Sequence, residues 1–207
     1  MIRIGLTGSI GMGKSAVSKM FVQQGIPVFD ADAEVHRLQG PNGVLVAAIE
    51  ARFPGTTGQH GVNRQALGAA VFGKPDELRA LEHIIHPAVY RSRQQFLKRN
   101  RSRPMVVLDI PLLFEKGGVN QADTVVVVSA PLWMQRKRVL ARPGMTRQKF
   151  RQIRKLQVPD HIKRARADHV VRTGCLKIVT QMQVRRLIAC LGRRKGRYKS
   201  GHARSSF

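Results

Sequence analysis

The sequence predicts an α/β fold of three layers, a central parallel sheet with helices on both faces. Three observations carry that prediction. Short apolar runs alternate along the chain with stretches of helical spacing. Two of those runs, Met105–Asp109 (M-V-V-L-D) and Thr124–Val128 (T-V-V-V-V), are continuously apolar, as strands covered on both faces must be. Finally, Gly8-x4-Gly13-Lys14-Ser15 stands between the first apolar run and the first helical pattern, where strand turns into helix.

The elements follow in order. Ile2–Thr7 reads as a short buried strand and Lys14–Gln24 as the next helix, with Val17, Met20 and Phe21 on one face and Gly25 as its stop. Ile26–Phe29 is a second strand, running into Asp30-Ala31-Asp32. Residues 33–100 are mostly helical in pattern: Leu78, Leu81, Ile85 and Val89 keep a three-four spacing, while Gly40–Gly43 and Pro54–Gly61 read as loops. After the two apolar strands, Leu132–Ala141 is helical and Arg142-Pro143-Gly144 breaks it. Residues 146–166 are basic and helix-prone, His169–Val171 is a last short strand, and Leu176–Leu191 is an amphipathic closing helix. The basic stretch Arg193–Phe207 has little to bury and is expected to be disordered.

Composition narrows the function classes. At 207 residues and 43% hydrophobic, the chain can bury a core of its own. No run approaches the roughly 18 consecutive apolar residues of a membrane span, and the first residues lack the pattern of a secretory signal. Cys175 and Cys190 have no paired spacing and no His cluster nearby, so buried free thiols in a reducing cytoplasm are expected. The formal charge is +25, and it is uneven: from Arg136 onward there are 22 Lys/Arg against two acids, Asp160 and Asp168. Such a field attracts polyanions in general and does not choose among nucleotides, nucleic acid and anionic lipid.

The motif at 8–15 carries chemistry. Glycines at 8, 11 and 13 let backbone N–H groups converge on phosphate oxygens, and the helix that follows points its positive end at the same spot. Lys14 neutralises β- and γ-phosphates, and the Ser15 hydroxyl is a ligand for Mg2+. A bound nucleoside triphosphate follows, with kinase, hydrolase and switch still open. Asp30 and Asp32 leave an extended chain on the same side, where two carboxylates could hold a Mg2+ water and deprotonate a hydroxyl. Asp30 is equally read as the cap of the next helix. Asp109 ends a strand, where a site would be.

Taken together, G-L-T-G-S-I-G-M-G-K-S at 5–15, D-A-D at 30–32, H-P at 86–87, D-I-P-L-L-F-E at 109–115 and A-D-H-V-V at 167–171 resemble the dephospho-CoA kinase family. The resemblance runs in order from residue 2 to about 190. It implies a P-loop kinase core (1–32 and 101–192), a helical CoA-binding insertion (33–100), a helical lid (142–166) and a basic tail (193–207). The implied reaction is transfer of the ATP γ-phosphate to the ribose 3′-hydroxyl of dephospho-CoA, with Mg2+, in the cytoplasm, by a monomer or weak homo-oligomer. Residue by residue, Gly8, Ser9, Ile10, Gly11, Met12, Gly13, Lys14, Ser15 and Ala16 would cradle ATP, joined by Arg138 and Arg142 around the lid break. Asp32 matches the catalytic aspartate facing the ribose; Lys14 and Arg142 are the other catalytic candidates. His86, Pro87, Leu112, Leu113, Phe114 and Glu115 would line the acceptor cleft, and Ser15, Asp32 and Asp109 are the candidates for Mg2+. His86-Pro87 can also be read as a plain helix break, Phe114 as core and Glu115 as an exposed helix acid.

Some positions depart from the family's common pattern: Ser9 for a second glycine, Met12 for a small residue, Val158 for Met in the Q-x-P segment, and Arg172-Thr173 before Gly174 near the adenine. Arg147, Arg151, Arg154 and Lys155 read as a solvated helix face. Two other functions fit parts of the sequence: another small P-loop nucleoside or nucleotide kinase, and an ATP-switched basic nucleic-acid-binding protein. Only 5% of residues are aromatic and no strand is studded with them, so nucleic acid is not the expected partner.

Overall fold

The computed structural model describes residues 1–115 and 117–194. In chain order the elements are β1 (Ile2–Thr7), α1 (Lys14–Gln23), β2 (Val28–Asp30), α2 (Ala31–Leu38), α3 (Val46–Arg52), β3 (Thr57–Gly58), β4 (Gly61–Val62), α4 (Arg64–Val71), α5 (Pro75–Arg99), β5 (Met105–Asp109), β6 (Thr124–Ser129), α6 (Leu132–Leu140), α7 (Arg147–Lys155), α8 (Asp160–Ala165), β7 (His169–Arg172) and α9 (Lys177–Arg194). The chain divides into two compact units, one formed by Met1–Val28 together with Ser102 onward, the other by Phe29–Arg101.

The five-stranded sheet has the order β2-β5-β1-β6-β7. β1 pairs in parallel with β5 and β6, and β6 with β7. Central strands have no solvent face, which is why the two continuous apolar runs became β5 and β6, buried at every position. Ile4 and Leu6 of β1 pack with Val107, Val126 and Val128 on one side, where Val17, Met20 and Phe21 of α1 and Val184, Leu187 and Leu191 of α9 complete the core. A smaller cluster, Leu113 with Val125 and Val127, covers the other face. Register fixes the site's position: Leu6, at the end of β1, lies beside Asp109, at the end of β5.

The second unit is helical around Leu38, Leu45, Ile49, Phe53, Leu67, Leu81 and Ala88. Its predicted loop at Pro54–Gly61 contributes to a two-stranded antiparallel hairpin, β3 with β4. α5 runs unbroken through Pro87, contrary to the helix-break reading. A proline there forfeits one intrahelical bond, but Leu81 and Ala88 on either side are anchored in the unit's core and keep the helix going.

Three further expectations are corrected. Asp30 and Asp32 do not share an extended chain: Asp30 is the N-cap of α2, its Oδ1 accepting from the Ala33 N–H at 2.9 Å, and Asp32 lies in the helix's first turn. The helix-prone stretch 146–166 is two helices, because Pro159 cannot continue one and instead opens α8. Both cysteines are free but exposed rather than buried. Arg193 and Arg194 close α9, and the rest of the expected disordered tail lies outside the described residues. No described helix is long and apolar enough to cross a membrane.

Candidate active site

β1 ends at Thr7 and the chain enters the loop Gly8–Gly13, which delivers Lys14 as the first residue of α1. Two glycines are required for different reasons. A Cβ at Gly8 would lie 2.7 Å from the Val128 carbonyl oxygen, so close approach to β6 excludes a side chain. Gly13 caps α1 at φ +89°, a left-handed conformation that few other residues adopt. Inside the loop, the Met12 N–H donates to the Ser9 carbonyl and the Ala16 N–H to that of Gly13, each at 3.1 Å. The N–H groups at the start of a helix are otherwise unpaired and attract anions.

The loop is braced from outside as well. Met12 is 3% exposed, with its side chain in the main core and its Sδ accepting from the Ala130 N–H at 3.1 Å. The residue that departs from the family's small side chain therefore points away from the phosphate side and fills core. Thr173 Oγ1 donates to the Met12 carbonyl at 2.6 Å. Arg138 in turn donates to Thr173, from Nη1 to the hydroxyl at 3.0 Å and from Nη2 to the carbonyl at 2.7 Å. Arg138 thus supports the loop through Thr173 rather than projecting freely toward a phosphate. The Ile10 N–H donates to Gln157 Oε1, and its carbonyl accepts from Gln135 Nε2.

Lys14 reaches the carboxylate of Asp109, which is 2% exposed, and the two form an ion pair. The strand register explains the meeting, since both β1 and β5 end at this level. Ser15 and Ala16 follow, exposed in the first turn of α1. A hydroxyl and a carboxylate on either side of Lys14 suit a Mg2+ ion, which keeps most of its waters and takes few protein oxygens beside substrate phosphates. No cluster of three His, Cys, Asp or Glu able to hold a metal occurs among the described residues, so an all-protein cage is not built here.

After β5 the chain turns at 110–115, held by the Thr7 hydroxyl, which donates to the Pro111 carbonyl at 3.0 Å. Leu113 is fully buried with Val125 and Val127, so it supports this turn from beneath instead of lining a cleft, and Phe114 packs partly on the same cluster. Leu112 is half-buried. Glu115 is not the exposed acid of a helix: its side chain is 12% exposed and pairs at 2.7 Å with Lys163, which is fully buried. The same Glu115 oxygen accepts from the Val158 N–H at 3.0 Å. A cavity of about 710 Å³ opens beside Ser9 and Met12, along the ends of β6 and β7 and bordered by Pro159, Arg172 and Gly174.

In the second unit, Asp32 is exposed in the first turn of α2 and its carboxylate has no hydrogen bond or ion pair among the described residues. His86 and Pro87 are exposed on α5. Arg142 is exposed just past α6, and its guanidinium is likewise without a described partner. Arg147, Arg151, Arg154 and Lys155 are all exposed on α7, as a solvated face should be.

Sequence reasoning did not single out Gln135 or Lys163, and it marked Thr173 only as a departure near the adenine. Gln135 had a signal: four residues before buried Val139, it is a polar side chain on the inward face of α6. Lys163 had none, since nothing in a run of basic residues marks the one that turns inward.

The Dephospho-CoA kinase family model matches residues 2–177. The chain belongs to the dephospho-CoA kinase family. It is 61% identical over 188 residues to the dephospho-CoA kinase of Novosphingobium aromaticivorans, covering 91% of this chain and 94% of that one. The dephospho-CoA kinase of Zymomonas mobilis is 51% identical over 191 residues, 92% of this chain and 97% of the relative. A crystal structure from Thermus thermophilus superposes with a TM-score of 0.82 at 34% identity, over 91% of this chain and 96% of the other. The dephospho-CoA kinase of Campylobacter jejuni, at 19% identity and TM-score 0.64 over 92% and 97% of the two chains, shares the fold. The chain is therefore an ATP-using phosphotransferase of the final step of coenzyme A synthesis.

Proposed function

We propose that this chain moves the ATP γ-phosphate onto the ribose 3′-hydroxyl of dephospho-CoA by in-line attack, with the donor held by the first unit and the hydroxyl activated by Asp32. The observation that supports it most is the pairing of Lys14 with Asp109 at the mouth of a fully braced phosphate loop. Loop amides and the α1 N-terminus bind the phosphates, and Lys14 leaves Asp109 for the β- and γ-oxygens when ATP arrives. Mg2+, when bound, neutralises charge that builds on the transferring group. Ser15 would hold it directly and Asp109 through a water, with Asp32 the further candidate.

Asp32 accepts the proton of the 3′-hydroxyl; an exposed, unpaired carboxylate is free to do so. Arg142 supplies charge to the transferring phosphate from a lid made of α7 and α8, and Arg138 keeps the loop in shape. His86, Pro87, Leu112 and Phe114 contribute to binding the acceptor, with Leu113 and Glu115 as their supports. Adenine occupies the cavity beside Arg172 and Gly174, where the Thr173 hydroxyl is already committed to Met12. The reading carries with it a cytoplasmic enzyme acting as a monomer or weak homo-oligomer on a helical acceptor-binding unit, residues 33–100.

The test is ATP consumption with dephospho-CoA beside a panel of nucleosides and nucleoside monophosphates, with and without Mg2+. Turnover of dephospho-CoA alone, giving a 3′-phosphate and needing Mg2+, is expected. Turnover of a nucleoside with none of dephospho-CoA would overturn the reading.

A further inference from the structure

Ile10 lies in the middle of the phosphate loop, and its peptide groups are gripped by two glutamines from two different elements. Its N–H donates to Gln157 Oε1 at 3.0 Å, and its carbonyl accepts from Gln135 Nε2 at 2.8 Å. Neither bond belongs to the loop's own turn, which is closed through Ser9–Met12 and Gly13–Ala16. Gln135 is buried on α6, and Gln157 is half-buried between α7 and α8. The grip on Gln157 continues inward. Val158, its neighbour, donates its N–H to Glu115 Oε1, which is 2.7 Å from the buried Lys163 Nζ. The other carboxylate oxygen, Oε2, is buried without a hydrogen-bond partner among the described residues. Burying an ion pair is costly and seldom justified by stability alone. Here it fixes the backbone that carries Gln157.

We propose that Gln157 is a positioning residue for the reaction: it orients the Ile10 peptide, with Gln135 as its counterpart and the Glu115–Lys163 pair as its footing. Gln157 touches no reacting atom. A loop whose middle peptide is fixed before ATP arrives keeps its remaining amides converged on the phosphates. A loose one must be ordered during binding, at an entropic cost. Val158, Glu115 and Lys163 thereby connect the donor cradle to the 110–115 turn. The inference rests on the kinase reading for its turnover measurements, but not for its binding measurement.

The experiment uses the full chain. Gln157→Met keeps the side chain's volume and removes the acceptor; Gln157→Glu keeps an acceptor oxygen at the same reach. ATP affinity is measured by calorimetry without acceptor, then kcat and KM for each substrate, and the melting temperature. Gln157→Met is expected to weaken ATP binding and kcat/KM for ATP by about tenfold, the scale of one lost hydrogen bond, with KM for dephospho-CoA unchanged. Gln157→Glu should recover part of the ATP affinity and of kcat/KM for ATP. Gln157→Met combined with Gln135→Met should lose less than the product of the single effects, because both act through one peptide. Unchanged ATP affinity, equal losses toward both substrates, or fully multiplicative effects would each overturn the proposal. So would a Gln157→Glu no better than Gln157→Met. If dephospho-CoA is not turned over at all, the kinase reading fails while ATP affinity still decides the role of Gln157.

Discussion

The phosphate loop and the residues proposed for the acceptor side are built on opposite terms. In the loop, Ser9, Met12 and Gly13 are buried or half-buried, and the backbone of Ile10 and Met12 is tied by Gln157, Gln135 and Thr173. Asp32 and His86, by contrast, stand exposed on helices with no side-chain hydrogen bond or ion pair described for either. A site that must bind a triphosphate gains from having its dipoles fixed in advance, because reorganisation during the reaction is then avoided. A base needs its lone pair unoccupied until the substrate hydroxyl arrives. With the proposed roles, rigidity and availability are divided between the two halves of the chemistry.

That contrast can be broken most severely at Asp32. Asp32→Ala should lower kcat by about 10²- to 10⁴-fold, the usual worth of a positioned base, while ATP affinity by calorimetry stays near wild type. Full turnover would remove Asp32 from the mechanism. Lys14→Ala should act on both quantities: kcat falls by about 10²- to 10³-fold and ATP binding weakens with it, since the charge it supplies holds the phosphates in the ground state and counts for more as charge builds in the transition state.

The bracing itself is tested by stability. Lys163→Met leaves the Glu115 carboxylate buried without its cation, which should cost about 3–5 kcal/mol in urea unfolding. Adding Glu115→Gln to that variant should restore a large part, and failure to do so would mean that Lys163 matters through packing alone. Met12→Ala should cost about 2–5 kcal/mol through the cavity it leaves, and it also removes the acceptor of the Ala130 N–H. An undiminished melting temperature would show that the loop does not depend on the core beneath it.

The smallest effect lies at the far end of β1. Burial pushes the Asp123 carboxyl up, but hydrogen bonds from the Arg3 side chain and backbone outweigh it and hold the group below its ordinary range. A depressed carboxyl contributes stability that is present above about pH 4 and is lost as pH falls through the depressed value. Asp123→Asn should therefore flatten the acid limb of the stability profile and leave ATP affinity at neutral pH untouched. A change in ATP affinity would link this ion pair to the loop at the other end of the strand.

Much of this protein was legible before any coordinates. Continuous apolar runs marked the sheet, because strands with two covered faces must be apolar throughout, and Met105–Asp109 and Thr124–Val128 nearly are. The Gly8–Ser15 pattern marked the cradle, because glycine alone allows the approach to Val128 and few other residues take the left-handed turn at residue 13. Local pattern was less able to place the two aspartates: the i, i+2 reading of Asp30 and Asp32 failed because capping an incipient helix is favoured over continuing a strand. It likewise misjudged Leu113 and Glu115, whose burial depends on residues far along the chain. Which polar side chains would hold the loop was decided only by tertiary structure. Gln135, Gln157, Thr173 and Lys163 earn their roles from partners more than 40 residues away in sequence. Local spacing encodes local geometry and cannot encode contacts that exist only once the sheet has brought β1, β6 and β7 side by side.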